Sequence, residues 1–252
     1  MTGHPEAGNP PGLYVHIPFC VQKCGYCGFS STTNRALIPD FLTALDREAR
    51  SCRGRWNPFD TLYIGGGTPS VLVTDELCRV IDTILANFTI APDAEITVEL
   101  NPGDLDAARL RGMRALGVNR LSIGCQSFDD QTLRFLGRRH TAHQAEEAIR
   151  LAREAGFGNL GLDLIYGIPG QSIAHWTETL GEALSFAPDH LSCYQLTVEE
   201  GTPLAAQCHA GQAVMPDDRD QADLFFTTSR ILEEGGYDHY EVSNFARGPG
   251  AE

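Results

Sequence analysis

The sequence predicts an α/β protein built on a parallel sheet, and three observations predict it. Short β-prone apolar runs alternate with stretches of helical periodicity along the whole chain. The residues of least ordinary chemistry fall just behind those runs, and 42% of the 252 residues are hydrophobic, enough to bury a large core. Strands are expected at 13–19, 61–64, 95–100, 120–124, 160–166 and 191–196, with helices between them at 38–52, 74–87, 105–115, 142–155 and 173–186. A weaker periodic segment at 217–234 reads as a last helix, and 237–245 as an extra strand. Strand–helix–strand units of this length join parallel strands through right-handed crossovers, either in an open doubly wound sheet or in a full or partial barrel. In all of these a ligand sits at the carboxyl ends of the strands. Cys20, Gly65, Asn101, Gln126 and Gly167 each follow a strand, so the chemistry shares one address.

Composition narrows the function. Lys and Arg total 19 against 33 acidic residues, a formal net charge of −14, which disfavours a phosphate-binding face and hence nucleic acid as a partner. Residues 1–12 read as a flexible tail rich in Gly and Pro without the basic and apolar regions of a signal peptide. No run of about eighteen apolar residues offers a membrane span. The eight cysteines do not form a dense disulfide framework, so a reducing cytoplasmic setting is expected.

Cys20-Val-Gln-Lys-Cys24-Gly-Tyr-Cys27 packs three thiols into one short loop, close enough to ligate a single metal centre. Three protein ligands leave a coordination position open, and an open position is what a metal needs to bind a substrate. The bland alternative is a Cys3His zinc site completed by His16, four residues before Cys20, although a strand histidine is more often packed or hydrogen-bonded. The five remaining cysteines read as core residues. Gly65, Gly66 and Gly67 let a strand end approach a ligand closely and offer amide donors, or else form a plain turn.

The spacing Cys-x3-Cys-x2-Cys ahead of alternating β and α elements resembles the radical S-adenosylmethionine (radical SAM) family. Further motifs resemble its coproporphyrinogen-dehydrogenase-like group over residues 13 to about 246: Tyr14-Val-His-Ile-Pro-Phe-Cys20, Gly65-Gly-Gly-Thr-Pro69, Glu99-Leu-Asn-Pro102, Gly124-Cys-Gln-Ser-Phe128, Asp163-Leu-Ile-Tyr-Gly-Ile-Pro169 and Tyr194-Gln-Leu-Thr197. The resemblance implies a partial parallel (β/α)6 barrel over 13–236. It implies a 4Fe-4S cluster on Cys20, Cys24 and Cys27, whose fourth iron is chelated by SAM and whose electron cleaves SAM to methionine and a 5′-deoxyadenosyl radical. It places Tyr14, Gly66, Gly67, Thr68, Glu99, Gln126, Arg138, Asp163 and Thr197 at SAM-contacting positions, with Tyr26 beside the adenine. The chemistry of Glu99, Gln126, Arg138 and Asp163 suits an ammonium, a carboxylate and ribose hydroxyls, although Arg138 with Arg139 also reads as a solvated pair.

Two branches compete. Coproporphyrinogen dehydrogenases carry a fourth cysteine two residues after the third and a longer N-terminal extension; here Phe29 holds that position and nineteen residues precede Cys20. Both features are similar to the branch of HemW heme chaperones, which implies heme or porphyrin, a reducing electron donor and heme-receiving respiratory proteins as partners rather than porphyrinogen decarboxylation. That branch places a His-Asn-x-x-Tyr-Trp heme motif and a further domain soon after a stretch like Glu241-Val-Ser-Asn-Phe245. The sequence stops at Glu252 without them, so 237–252 is expected to begin an incomplete C-terminal region, and heme binding through that motif is not expected of this chain.

Overall fold

A computed structural model describes residues 10–55 and 58–248; residues 1–9 of the tail expected at 1–12 and residues 249–252 of the expected C-terminal region lie outside the described residues, and Gly12 already opens the first strand. Six strands, β1 Gly12–Ile17, β2 Phe59–Gly66, β3 Ile90–Leu100, β4 Arg120–Gln126, β5 Asn159–Tyr166 and β6 His190–Gln195, lie parallel in one sheet in chain order. Chain-order neighbours rule out double winding, in which the strand order reverses at a switch point. Crossovers of one hand between such strands place their helices on one face, as in a barrel. The sheet does not close: β7 Asp238–His239 and β8 Asn244–Ala246 extend it antiparallel beyond β6, in the order β6-β8-β7.

The helices are α1 Ile38–Cys52, α2 Thr74–Asn87, α3 Ala107–Ala115, α4 Asp130–Phe135, α5 Ala142–Glu154, α6 Ile173–Ser185, α7 Pro203–His209 and α8 Asp218–Glu234. Their starts follow capping chemistry. Thr141 and Gln144 cap α5 reciprocally, at 3.2 and 2.9 Å, and Ser172 and Asp217 accept from the third residue of α6 and of α8. Helix α3 begins at Ala107 rather than 105 because Pro102–Asp104 forms a 3-10 turn and Asp106 caps Arg109 N at 2.8 Å. Two helices, α4 and α7, are too short to show periodicity; only Asp129 and Thr202, their caps, mark them in sequence. The expected strand at 237–245 is instead a hairpin, because the Glu241 carboxylate accepts from Ser243 N and Asn244 Nδ2 and closes the intervening residues into a turn.

Strand alternation sorts the chemistry. Leu62, Ile64, Val98, Leu121, Ile123, Leu162, Leu164 and Leu191 are buried in one core with Val15 and Ile17. The alternate residues Tyr63, Glu99, Ser122, Asp163 and Ser192 must then face the other side of the sheet. Cys125 and Cys193 join the buried set as expected, whereas Cys52, Cys78 and Cys208 are half-buried; all eight cysteines are free thiols.

Trp176 on α6 is fully buried, and its indole N–H donates to Thr228 Oγ1 on α8 at 2.8 Å. Thr228→Val leaves that donor buried and unpaired and is expected to lower stability by about 1–3 kcal/mol. Urea unfolding checks this through a lower midpoint at unchanged slope.

Candidate functional site

A cavity of about 620 Å³ opens at the carboxyl ends of the parallel strands, within the range of roughly 300–1,000 Å³ typical of small-molecule sites. Cys20, Cys24 and Cys27 all line it. The loop that carries them is pinned at its stem, where Cys20 N donates to Thr32 O at 2.9 Å and Thr32 N to Pro18 O at 2.7 Å. Leu204 N donates to Gly25 O at 2.9 Å, tying the loop to α7. Among the described residues no three His, Cys, Asp or Glu side chains converge as one ion would require. His16 is engaged at both ring nitrogens, Nδ1 with Tyr14 Oη at 3.1 Å and Nε2 with Ser30 O at 2.9 Å, and it does not line the cavity. A histidine ligand uses one ring nitrogen, so the fourth-ligand role considered for it requires breaking one of these two bonds.

The three glycines at the end of β2 are each required by a different neighbour. A Cβ on Gly65 would lie 2.8 Å from the Glu99 carboxylate, one on Gly66 2.8 Å from the His16 ring, and one on Gly67 3.0 Å from Cys20 Sγ. Gly66 also sits at φ 118°, which side chains disfavour. The amide donors expected to face a ligand are occupied inside the protein: Gly66 N donates to Glu99 Oε2 at 2.9 Å and Gly67 N to Ile17 O at 2.8 Å. The glycines act by what they leave out. Thr68, next in line, points its hydroxyl at Cys20 Sγ at 3.5 Å.

Glu99 accepts from Tyr63 Oη at 2.9 Å as well as from Gly66. Burial, and then the neighbouring Asp163 charge, push its carboxyl up to about 7 despite those two donors. Burial also raises Asp163, against the opposing pull of hydroxyls and of Arg138; Ser122 Oγ donates to it at 3.1 Å. Two carboxyls in one polar wall, both reluctant to ionise, suit a cationic ligand.

Gln126 ends β4 with φ 65°, a left-handed conformation uncommon outside glycine. Gly124 makes room beside it: a Cβ there would stand 3.0 Å from Gln126 Nε2 and 3.1 Å from Arg138 Nη2. Arg138 is not a solvated surface group. Its Nη2 donates to Gly124 O at 2.8 Å, its Nη1 approaches Cys24 Sγ at 3.6 Å, and its buried Nε has no partner among the described residues. Arg139 pairs with Asp104 at 2.7 Å. The Tyr26 hydroxyl is raised well above its usual range by burial, with Arg138 opposing.

Of the predicted site residues the cavity gathers the three cysteines, Tyr26, Gly66, Gly67, Thr68, Glu99, Gln126, Arg138, Asp163 and Thr197. Tyr14 stands outside its wall, 54% exposed, its ring stacked on Tyr63 at 6.0 Å. Sequence reasoning missed Tyr63, Tyr194 and Glu199. The first two were legible from strand alternation with Glu99 and Asp163; Glu199 sits on a loop and gave no signal.

The chain matches the Radical SAM superfamily over residues 14–183. It is 40% identical over 244 residues to the heme chaperone HemW of Escherichia coli, covering 94% of this chain and 63% of that protein. It is 38% identical over 246 residues to the mitochondrial radical S-adenosyl methionine domain-containing protein 1 of Danio rerio, covering 96% and 55%. Among solved structures, coproporphyrinogen III oxidase (HemN) of Escherichia coli, described as a radical SAM enzyme, superposes with a TM-score of 0.83 at 32% identity, covering 94% of this chain and 56% of that one. The chain spans between 55% and 65% of the length of such curated relatives.

A carboxyl raised in the folded state stabilises the fold fully below its unfolded value and loses that contribution as pH rises through the folded one. The stability of Glu99→Gln relative to the parent should therefore climb between about pH 4.5 and about 7 and level off above it. Chemical denaturation of the metal-free protein at pH 5 and pH 8 measures the difference.

Proposed function

The chain belongs to the radical SAM superfamily, and on that premise we propose that it binds a 4Fe-4S cluster on Cys20, Cys24 and Cys27 and SAM in the cavity beside it, in a protein of the HemW type that serves heme delivery or porphyrin metabolism. The observation that carries the reading is the meeting of three free thiols with an acid-walled cavity at the strand ends. When bound, cluster and SAM supply one-electron reductive chemistry that generates a carbon-centred radical.

The residues present fit that pair of groups. Cysteine binds metal as thiolate, and Arg138 sets a cation 3.6 Å from Cys24 Sγ, while Thr68 brings a hydroxyl to Cys20 Sγ. The side-chain-free edge at Gly66 and Gly67 brings backbone close to the cluster loop. Glu99 receives the SAM ammonium, a cation that offsets its reluctance to ionise. Arg138 and the Gln126 amide, both on the cavity wall, offer donors to the SAM carboxylate, and Asp163 and Thr197 take its ribose hydroxyls. Tyr26 packs beside the adenine. Tyr14 reaches the site at its outer edge through Tyr63.

The 40% identity to HemW, against 32% to coproporphyrinogen III oxidase, favours the heme chaperone, as does Phe29, 68% exposed at the cavity rim where a fourth cysteine would mark the oxidase. The likeness to coproporphyrinogen III oxidase favours a second reading, oxidative decarboxylation of coproporphyrinogen III. Both readings share SAM and a reducing electron donor as partners. No helix among the described residues is long and apolar enough to cross a membrane, and the cytoplasm is the proposed compartment.

Anaerobic reconstitution with iron and sulfide should yield a reduced protein whose electron paramagnetic resonance signal changes on adding SAM; no cluster, or a signal indifferent to SAM, rejects the proposal. Cys24→Ala should lose the cluster. Glu99→Ala should keep the iron and bind SAM about tenfold or more weakly, the loss of a charged hydrogen bond of about 1.5–3 kcal/mol. Incubation with coproporphyrinogen III, SAM and reductant should leave the substrate intact, and sustained formation of protoporphyrinogen IX would establish the second reading instead.

A further inference from the structure

One buried group near the cavity has no part in the binding scheme above. His140 is 3% exposed, does not line the cavity, and leaves its Nδ1 without a partner among the described residues. Its Nε2 lies 2.9 Å from the carbonyl oxygen of Cys125. A carbonyl only accepts, so Nε2 carries the proton and donates. Burial, and then the Arg138 charge, lower the imidazole to about 4, which keeps it neutral with a bare Nδ1.

The carbonyl it holds is the sensitive one. Between the pairs Ile123↔Leu162 and Gln126↔Leu164, β4 advances three residues while β5 advances two, so β4 carries one extra residue, a bulge. At that bulge the carbonyls of Gly124 and Cys125 accept from side chains of one short segment, Arg138 Nη2 at 2.8 Å and His140 Nε2 at 2.9 Å. The segment is delivered there by the end of α4, where Gly137 at φ 67° reverses the chain and Arg138 N donates back to Leu133 O at 2.9 Å. The Cys125 carbonyl belongs to the same rigid peptide plane as Gln126 N, and φ of Gln126 is the rotation about the next bond. Fixing that plane fixes the starting point from which Gln126 must adopt φ 65°. A left-handed residue with a side chain is unfavourable by about 1 kcal/mol or more and persists only where its surroundings hold it.

We propose that His140 is a positioning residue for Gln126: by holding the Cys125 carbonyl at the bulge, it keeps Gln126 in the left-handed conformation that presents its amide to the cavity. The inference rests on the reading that Gln126 contacts SAM. His140 acts on the ligand only through Gln126, and the Nε2 position, not the ring as such, is what the role requires.

The test is a double-mutant cycle on the anaerobically reconstituted protein, reading SAM affinity from the SAM-dependent change in the cluster's paramagnetic signal and recording iron content for each variant. His140→Leu should keep its iron and bind SAM about fivefold to tenfold more weakly. In a Gln126→Ala background the same substitution should change affinity by less than about twofold. His140→Gln, whose amide nitrogen can reach the place of Nε2, should restore most of the affinity, whereas His140→Asn, too short to reach it, should not. Equal losses from His140→Leu in both backgrounds, or wild-type affinity in His140→Leu, overturn the inference while leaving the role of Gln126 intact. If His140→Leu fails to fold, the Gln and Asn variants decide: equal affinities for the two overturn it. Wild-type affinity in Gln126→Ala overturns instead the reading of Gln126 as a SAM contact, and the inference with it.

Discussion

Everything at this site depends on a backbone edge that carries no side chains. At Gly65, Gly66 and Gly67 the chain runs between the Glu99 carboxylate, the His16 ring and the Cys20 sulfur, each within 3.0 Å of where a Cβ would stand. Because that edge is bare, β1 and β3 can bring a thiol and a carboxyl to either side of β2. The same edge supplies the Gly66 N–H that orients Glu99, and the Gly67 N–H that anchors the start of the cluster loop at Ile17. Larger residues there would separate the thiols from the acid wall, and the cavity would lose the adjacency of its two halves.

The wall at the end of β4 is built by different means. Gly124 vacates space for Gln126 and Arg138, a bulge re-aims the end of β4, and the segment after α4 returns to grip the two carbonyls that the bulge releases. Strain at Gln126 and an unpaired donor on Arg138 sit together in this wall. Backbone strain and an unpaired buried donor meeting in one cavity wall are the pattern of a binding site held by a rigid scaffold.

Electrostatics gives the site its preference. The protein is acidic overall, and the cavity concentrates that character in Glu99 and Asp163, each kept from ionising readily by burial. Arg138 supplies the compensating charge on the side of the thiols. A ligand that is cationic at one end and anionic at the other would meet complementary partners at both, and coupling between pH and occupancy follows from the raised carboxyl of Glu99.

By itself the sequence determined the alternation of strands and helices and the thiol triplet, because periodicity, capping and a short-range cysteine spacing are local properties of the chain; the other predicted cavity residues came from motifs that resemble a known family. Helices α4 and α7 escaped because one or two turns carry no period, and the strand expected at 237–245 became a hairpin through a turn closed by Glu241. Only the tertiary structure decided the strand order, the open edges of the sheet, the removal of Tyr14 from the cavity wall and the engagement of His16. It alone revealed that the glycine amides are occupied internally and that His140 faces the carbonyl before Gln126. The physical reason is the same throughout: these facts depend on which groups meet across many residues of separation, and pairing at a distance leaves no trace in local pattern.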